Sequence, residues 1–265
     1  DAVREAAQTL DSLAVRIGAE HTASVRIGDD PEHPGQVIWV DLGNPKWEAV
    51  RIDASGWEVV KNSPVKFVRS RGMLPLPHPS QGGSLAELRP FINAGDADSW
   101  VLIQTWLVMA LKPKGPYPLL VLSGEQGSGK TTACKMLRSL IDPNKADLRS
   151  QPKEERDLVI AASNSWVLGF ENLSHVPAWL SDALCRISTG SAFGTRELYS
   201  DSEEKLFEAS RPILMNGIPD LATRSDLLDR AIPLVLPSIH DDGRLQEAEL
   251  WASFDEARPR ILGAL

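Results

Sequence analysis

The chain has 265 residues, of which 42% are apolar and 24% charged, a composition that supports a sizeable globular core. Its net charge of −8 excludes a broad basic face that coats nucleic acid, but not a local basic loop. Two cysteines, Cys134 and Cys185, are too few for a disulfide framework or a four-ligand zinc site, and the longest apolar stretches, such as residues 101–111, are too short and too broken to span a bilayer.

Residues 1–20 carry Val3, Ala7, Leu10, Leu13 and Ile17 at helical spacing, so an amphipathic helix is expected. Asp1 stands where an initiator Met would, and predicts a boundary inside a longer protein. No secretory pattern opens the chain, so a reducing, cytoplasmic setting is expected. Over residues 22–70 the period changes. Short β runs at 25–27, 37–40, 49–52, 57–60 and 65–68 are separated by turn-formers such as Gly43-Asn44-Pro45 and Ala54-Ser55-Gly56. This predicts a small β meander, and residues 1–70 form one expected unit. Trp39, Trp47 and Trp57 suit the core of that sheet, with a base-stacking platform as the alternative.

Residues 71–83 are rich in Pro and Gly and read as a linker to the unit 84–265. Two helical patterns follow, at 84–92 and 97–111. The first opens on a capping box, Ser84 with Glu87. The second is apolar on several sides and is expected to be buried between layers. From Tyr117 onward, apolar runs at 119–122, 166–170, 212–215 and 232–236 alternate with helical patterns. The expectation is an α/β fold with a mostly parallel sheet flanked by helices.

The strongest local signal is Gly124-x-x-x-x-Gly129-Lys130-Thr131, with a buried strand before it and an amphipathic helix after it. Glycines at these positions let backbone N–H groups turn inward around phosphate oxygens. ATP and Mg²⁺ are therefore the expected ligands. Gly124, Gly127, Ser128, Gly129, Lys130, Thr131 and Thr132 contact the nucleotide, with Lys130 at the β- and γ-phosphates and Thr131 on the metal. Such a site also needs an acid at a neighbouring strand end. Glu171 supplies it, as catalytic acid and metal ligand. The next position is Asn172, which can orient water but cannot take its proton. Either Glu171 serves both roles, hydrolysis is slow, or a base comes from elsewhere.

Asn216 ends another apolar run, where it can meet the γ-phosphate or the attacking water, with a turn Asn as the alternative. Arg230, just before the last run, is either a finger reaching a neighbouring subunit's nucleotide or part of a surface ion pair with Asp226 or Asp229.

The order GEQGSGKT, FENLS, RPILMNGI and DLLDRAI resembles the AAA+-like helicase core of superfamily 3. The stretch from Asn164 to Tyr199 is similar to ATP-binding proteins of phages and integrated mobile elements, often joined to a primase-polymerase. The resemblance covers about residues 84–265. It implies an ATP-hydrolysing replicative helicase domain, with ATP held between subunits of a homo-hexameric ring. It implies Walker B for Glu171, sensor 1 for Asn216, and a trans-acting finger for Arg230. It also implies a pore hairpin that grips single-stranded DNA, here residues 194–209 with Arg196 and Lys205 as its cations. The turn at 200–204 is acidic, and Glu171 stands where relatives typically have Asp. The rival reading is a nucleotide-dependent assembly switch that recruits partners without translocating. A small-molecule kinase is disfavoured, because no Arg-rich lid is visible.

Overall fold

The computed structural model of the chain describes residues 2–18, 21–191, 193–196, 204–207, 210–217, 221, 224–239 and 246–265. Helix α1 (Ala2–Ile17) buries none of its residues, and Val3, Leu10, Val15 and Ile17 all face solvent. Strand β1 (Ala23–Ser24) is followed by β2 (Ile27–Asp29), β3 (Ile38–Asp41), β4 (Ala49–Asp53) and β5 (Gly56–Val60), the last four forming one antiparallel sheet in chain order. Strand β6 (Lys66–Phe67) returns to pair with β1 in parallel.

The meander does not stand apart. Ile27, Val40, Leu42 and Val50 share one apolar core with residues of the later sheet and helices. A buried ion pair reinforces the junction: Arg26 Nε donates to Asp142 Oδ1 at 3.2 Å, with both side chains almost fully enclosed. The Pro/Gly stretch is pinned as a strap. Leu74 N–H donates to the Pro143 carbonyl, Leu76 N–H to the Leu42 carbonyl, and Ser80 N–H to the Pro259 carbonyl.

Residues Leu85–Phe91 form a 3-10 helix with the Ser84/Glu87 capping box in place. Helix α2 (Ala97–Ala110) is capped by Asp96, whose carboxylate accepts from Ser99 N–H. Only one face of α2 is buried, through Ile103, Trp106, Leu107 and Ala110. Val101, Leu102 and Val108 are exposed, so the helix is covered by a layer on one side only, which corrects the expectation that it lies buried between layers. An apolar periodicity too broad for one face cannot say which part of it finds a neighbour.

Then come β7 (Leu119–Ser123), α3 (Lys130–Ile141), α4 (Glu155–Asn164), β8 (Leu168–Leu173) and α5 (Ala178–Thr189). Strands β9 (Phe193–Arg196) and β10 (Glu204–Phe207) make a two-stranded antiparallel ribbon. Strand β11 (Ile213–Gly217), the short α6 (Ser225–Leu228), β12 (Ala231–Val235) and α7 (Glu247–Ala264) complete the described fold.

The central sheet is parallel throughout, in the order β12-β7-β11-β8. Alternation along each strand feeds two cores. In β7, Leu120 and Leu122 face the side of α2, α3 and α7, while Leu119 and Val121 face the side of α4, α5 and α6. β7, β11 and the first half of β8 are buried on both faces and read as continuous apolar runs, whereas the edge strand β12 buries only Leu234. Helix α7 closes the first core with Phe254, Ala257 and Ile261, and Phe91 meets Phe254 edge-on at 5.4 Å. No described helix is long and apolar enough to cross a membrane.

Candidate functional site

In a parallel sheet, the carboxyl ends of the strands share one edge, and loops there converge. β7 delivers Gly124, β8 delivers Glu171 and Asn172, and β11 delivers Asn216 and Gly217 to that edge. These residues line one cleft of about 700 Å³ together with Gly127, Gly129, Lys130, Thr131 and Thr132.

The loop between β7 and α3 is tightly wound. Gly124 has φ 144°, and a Cβ there would meet the Leu236 carbonyl oxygen at 2.5 Å, so both the dihedral and the close approach require glycine. Gly127 and Gly129 are also left-handed, at φ 82° and 81°. No side chain caps the N-terminus of α3, so its first N–H groups and its dipole face the cleft. Lys130 folds back over the loop, its Nζ donating to the carbonyls of Gly124 at 2.8 Å and Glu125 at 2.6 Å. Ser128 differs from its sequence neighbours. It is fully buried beneath the loop, its N–H donating to the Glu125 carbonyl and its Oγ lying 3.3 Å from Lys130 Nζ.

The acid strand carries a bulge. Phe170 pairs with Met215, but the next partners are Leu173 and Gly217, so β8 spends one residue more than β11 across Glu171 and Asn172. Such a bulge re-aims side chains at a strand end. Asn172 takes the extra turn in the left-handed region, at φ 54°. Its N–H donates to Asn216 Oδ1 at 3.0 Å. Gly217 lets the strands close afterwards, since a Cβ there would lie 2.1 Å from the Leu173 carbonyl oxygen. Asn216 is 2% exposed, and among the described residues its enclosed Nδ2 meets no oxygen or nitrogen partner, only the Cys134 thiol side of the floor. Glu171 is the only carboxylate lining this cleft among the described residues.

Sequence reasoning missed the floor and the side wall of the site. Cys134 is a fully buried core residue one turn along α3 from Lys130. Burial pushes its thiol up to about 12; the Asn216 amide and the Lys130 charge pull it down, and Glu171 raises it further, which places all three within electrostatic reach. On the other side of the loop, a second cleft of about 650 Å³ shares Gly127, Gly129 and Thr132 with the first. Phe91, Ile92, Ile239 and Leu250 give it an apolar wall. Asn93 ties this wall to the loop, its Nδ2 donating to the carbonyls of Ser128 at 3.2 Å and Pro237 at 2.6 Å. The apolar spacing of 250, 254, 257 and 261 was the available signal for α7 behind that wall.

The other predicted residues lie elsewhere. Arg230 precedes β12, whose register sets Ala231 beside Leu119 and Val235 beside Ser123. Arg230 therefore stands at the opposite end of β7 from Gly124, where its Nη1 donates to the Asp226 carbonyl at 2.7 Å. In the ribbon, Arg196 pairs with Glu204 and Lys205 with Thr195; the connecting turn lies outside the described residues. Trp39 is buried, with Nε1 donating to Asp30 Oδ2, and Trp57 is half-buried, with Nε1 donating to the Gly263 carbonyl. Trp47 is 58% exposed, which overturns the core expectation for that residue.

The donor set suits a magnesium nucleotide. The glycine cradle admits no Cβ at Gly124, the helix N-terminus carries free donors, and Thr131 with Glu171 provides hard oxygen ligands.

A family model described as "Actinomycete integrative conjugative element replication protein" matches residues 85–265, more than half of the chain. No curated protein matches the sequence. Among solved structures, the apo structure of the NrS-1 C-terminal region aligns with a TM-score of 0.52 at 11% identity, over 83% of this chain and 65% of that one. Its A form aligns with a TM-score of 0.51 at 11% identity, over 83% and 64%. At this identity the likeness establishes the mixed α/β fold. JCV helicase aligns with a TM-score of 0.41 at 14% identity, over 68% of this chain and 51% of that one, a level that bears no argument. The chain spans less than two thirds of the length of the solved chains it matches.

Proposed function

Because the chain belongs to the family of actinomycete integrative conjugative element replication proteins, we propose that it is an ATP-driven motor acting on single-stranded DNA when such an element replicates. The observation that carries this reading is the convergence of the glycine loop, Glu171 and Asn216 on one cleft at the carboxyl ends of three adjacent parallel strands.

In this reading the phosphates of ATP lie along residues 124–132 and accept from loop and α3 N–H groups. Lys130 exchanges its two carbonyl partners for the β- and γ-phosphates. Thr131 and Glu171 hold Mg²⁺, which supplies neutralisation of phosphate charge. Glu171 also orients the water that attacks the γ-phosphorus in line and takes its proton, as the bond from the γ-phosphorus to the ADP oxygen breaks. Asn172 can accept no proton from that water. The buried Nδ2 of Asn216 donates to the γ-phosphate or to the water. The base lies in the neighbouring apolar cleft against Phe91 and Leu250. Arg230, a strand length from its own loop, serves the site of the next subunit in a homo-hexameric ring. Arg196 and Lys205 on the ribbon provide the local positive charge that an otherwise acidic surface needs to hold DNA. A primase-polymerase, fused or associated, is the proposed partner.

The test is phosphate release with and without single-stranded DNA, together with strand displacement on a forked duplex. The motor reading expects stimulation by DNA and ATP-dependent displacement. ATP binding with neither effect would instead support the assembly switch, which the amide at Asn172 and the net charge of −8 favour.

A further inference from the structure

Trp47 occupies a position that packing does not explain. Its side chain is 58% exposed, while the other two tryptophans of the meander turn inward. Its backbone sits at φ 56°, a left-handed conformation that disfavours bulky residues. The turn is over-determined. Asn44 Oδ1 accepts from the N–H groups of Lys46 at 3.1 Å and Glu48 at 3.2 Å, and Trp47 N–H donates to the Asn44 carbonyl at 3.2 Å. Strain that the surroundings enforce points toward a use for the residue held there.

One face of the ring is already occupied. The Arg69 guanidinium carbon lies 3.8 Å from the ring centroid. That guanidinium cannot swing away: Nε and Nη2 donate to the two oxygens of Asp41 at 2.8 and 2.6 Å, and Nη1 donates to the Asn44 carbonyl at 2.5 Å. Asp41 is itself buried. The ring is thus fixed on one side by a bidentate ion pair, with much of its surface left to solvent.

The charge around it is biased. Lys46 is exposed at the tip of the turn. Glu48 turns its carboxylate inward, where Asn44 Nδ2 at 2.8 Å and His78 Nε2 at 2.9 Å engage it. Lys46 is therefore the solvent-facing charge next in sequence to the ring, which suits a polyanion carrying flat groups. We infer that Trp47, backed by Arg69, is a stacking platform for a base of single-stranded DNA, a contact separate from the β9–β10 ribbon. The inference rests on the reading of the protein as a DNA motor and adds a second place where the strand is held. A duplex hides its base faces, so the platform selects unpaired DNA.

The experiment uses the whole chain and a fluorescein-labelled oligothymidylate. Anisotropy titrations compare the wild type with Trp47→Ala and Trp47→Phe, and thermal unfolding is followed for each. An oligothymidylate carrying 5-iododeoxyuridine is photocrosslinked and the attached peptide mapped. The expected results are a roughly tenfold loss of affinity for Trp47→Ala, retention within about threefold for Trp47→Phe, and a crosslink at Trp47. If the ring merely shields the Arg69–Asp41 pair, Trp47→Ala lowers the unfolding temperature but binds DNA like the wild type. That result, or crosslinks mapping only elsewhere, overturns the platform while leaving the motor reading intact. Should Trp47→Ala fail to fold, Trp47→Phe and the crosslink still decide. A wild type that neither binds the oligonucleotide nor responds to it in ATP turnover sinks both. Binding of a proline-rich peptide at Trp47, with no crosslink to DNA, also overturns it.

Discussion

Asn216 Oδ1 accepts the N–H of Asn172 at 3.0 Å, across the bulge that separates Phe170 from Leu173 on β8. The bond fixes the amide's orientation and sets its Nδ2 on the enclosed Cys134 side of the cleft floor. An amide held this way costs little to reorganise when charge builds up on a transferring phosphate. Asn216→Ala should therefore bind ATP nearly as well as the wild type and turn it over roughly 100-fold more slowly. Parallel calorimetry and phosphate-release assays check this; a loss confined to affinity would mean that Asn216 shapes the cleft without acting in it.

Lys130 is expected to govern binding. Lys130→Ala removes the cation that faces the phosphates, a charge-assisted contact of about 1.5–3 kcal/mol. Calorimetry on the folded variant should show ATP affinity reduced to match. Unchanged affinity would remove the loop at 124–131 from the nucleotide site.

Glu171→Gln should keep the fold and abolish turnover, since the amide holds neither metal nor proton as a carboxylate does. Glu171 N–H donates to the Arg149 carbonyl at 2.9 Å through the backbone alone, so the substitution leaves the strand's ties in place. Phosphate release at the wild-type rate would move the acid elsewhere. Asp157, one alternative, instead accepts from Lys153 N–H on the exposed first turn of α4, and Glu197 lies outside the described residues.

How far the sequence reached depended on whether a feature was local. The loop at 124–131 is flanked by its own strand and helix, and β7, β11 and the first half of β8 are buried on both faces, so each shows up as an apolar run. Register is not local. The extra residue at Glu171–Asn172 exists only because β11 lies beside β8, and the run from 166 to 170 carries no sign of it. Burial is not local either. Trp39 and Trp47 look alike in a β-rich stretch, yet one donates to buried Asp30 and the other lies over Arg69 in the open. The Pro/Gly composition of residues 71–83 reads as a linker and carries no sign of the backbone bonds by which Leu74, Leu76 and Ser80 are tied to distant carbonyls.

Arg26 and Asp142 are separated by 116 residues and meet at 3.2 Å with almost no exposure. Asp142 also accepts the N–H groups of Trp166 and Val167, and Arg26 donates to the carbonyls of Asp41 and Leu74. Arg26→Met removes the nearer of the two buried guanidinium groups beside Asp142, Arg138 Nη2 remaining at 3.8 Å, and should cost about 3 kcal/mol. Denaturant unfolding should show this as a lower midpoint. A loss below about 1 kcal/mol would mean that the meander contributes little to the stability of the sheet it packs against.

The last prediction concerns assembly. Arg230 stands before β12, and its carbonyl accepts the N–H of Leu119 at the start of β7. The glycine loop begins at the other end of that strand, so Arg230 cannot reach its own cleft without unpicking the sheet. Its present contact, a bond to the Asp226 carbonyl, is exposed and easily exchanged for a stronger partner. If a neighbouring subunit brings a nucleotide to it, the site is complete only when subunits meet, and turnover should rise more than linearly with protein concentration. Arg230→Ala should leave ATP binding nearly intact but reduce turnover by roughly 10³-fold, because a finger acts on transition-state charge. Mixing Arg230→Ala with Lys130→Ala should restore part of the activity, since some interfaces then join a sound loop to a sound arginine. Turnover strictly linear down to concentrations at which the chain is monomeric, with no rescue on mixing, would rule out the shared site and leave Arg230 as a cap on α6.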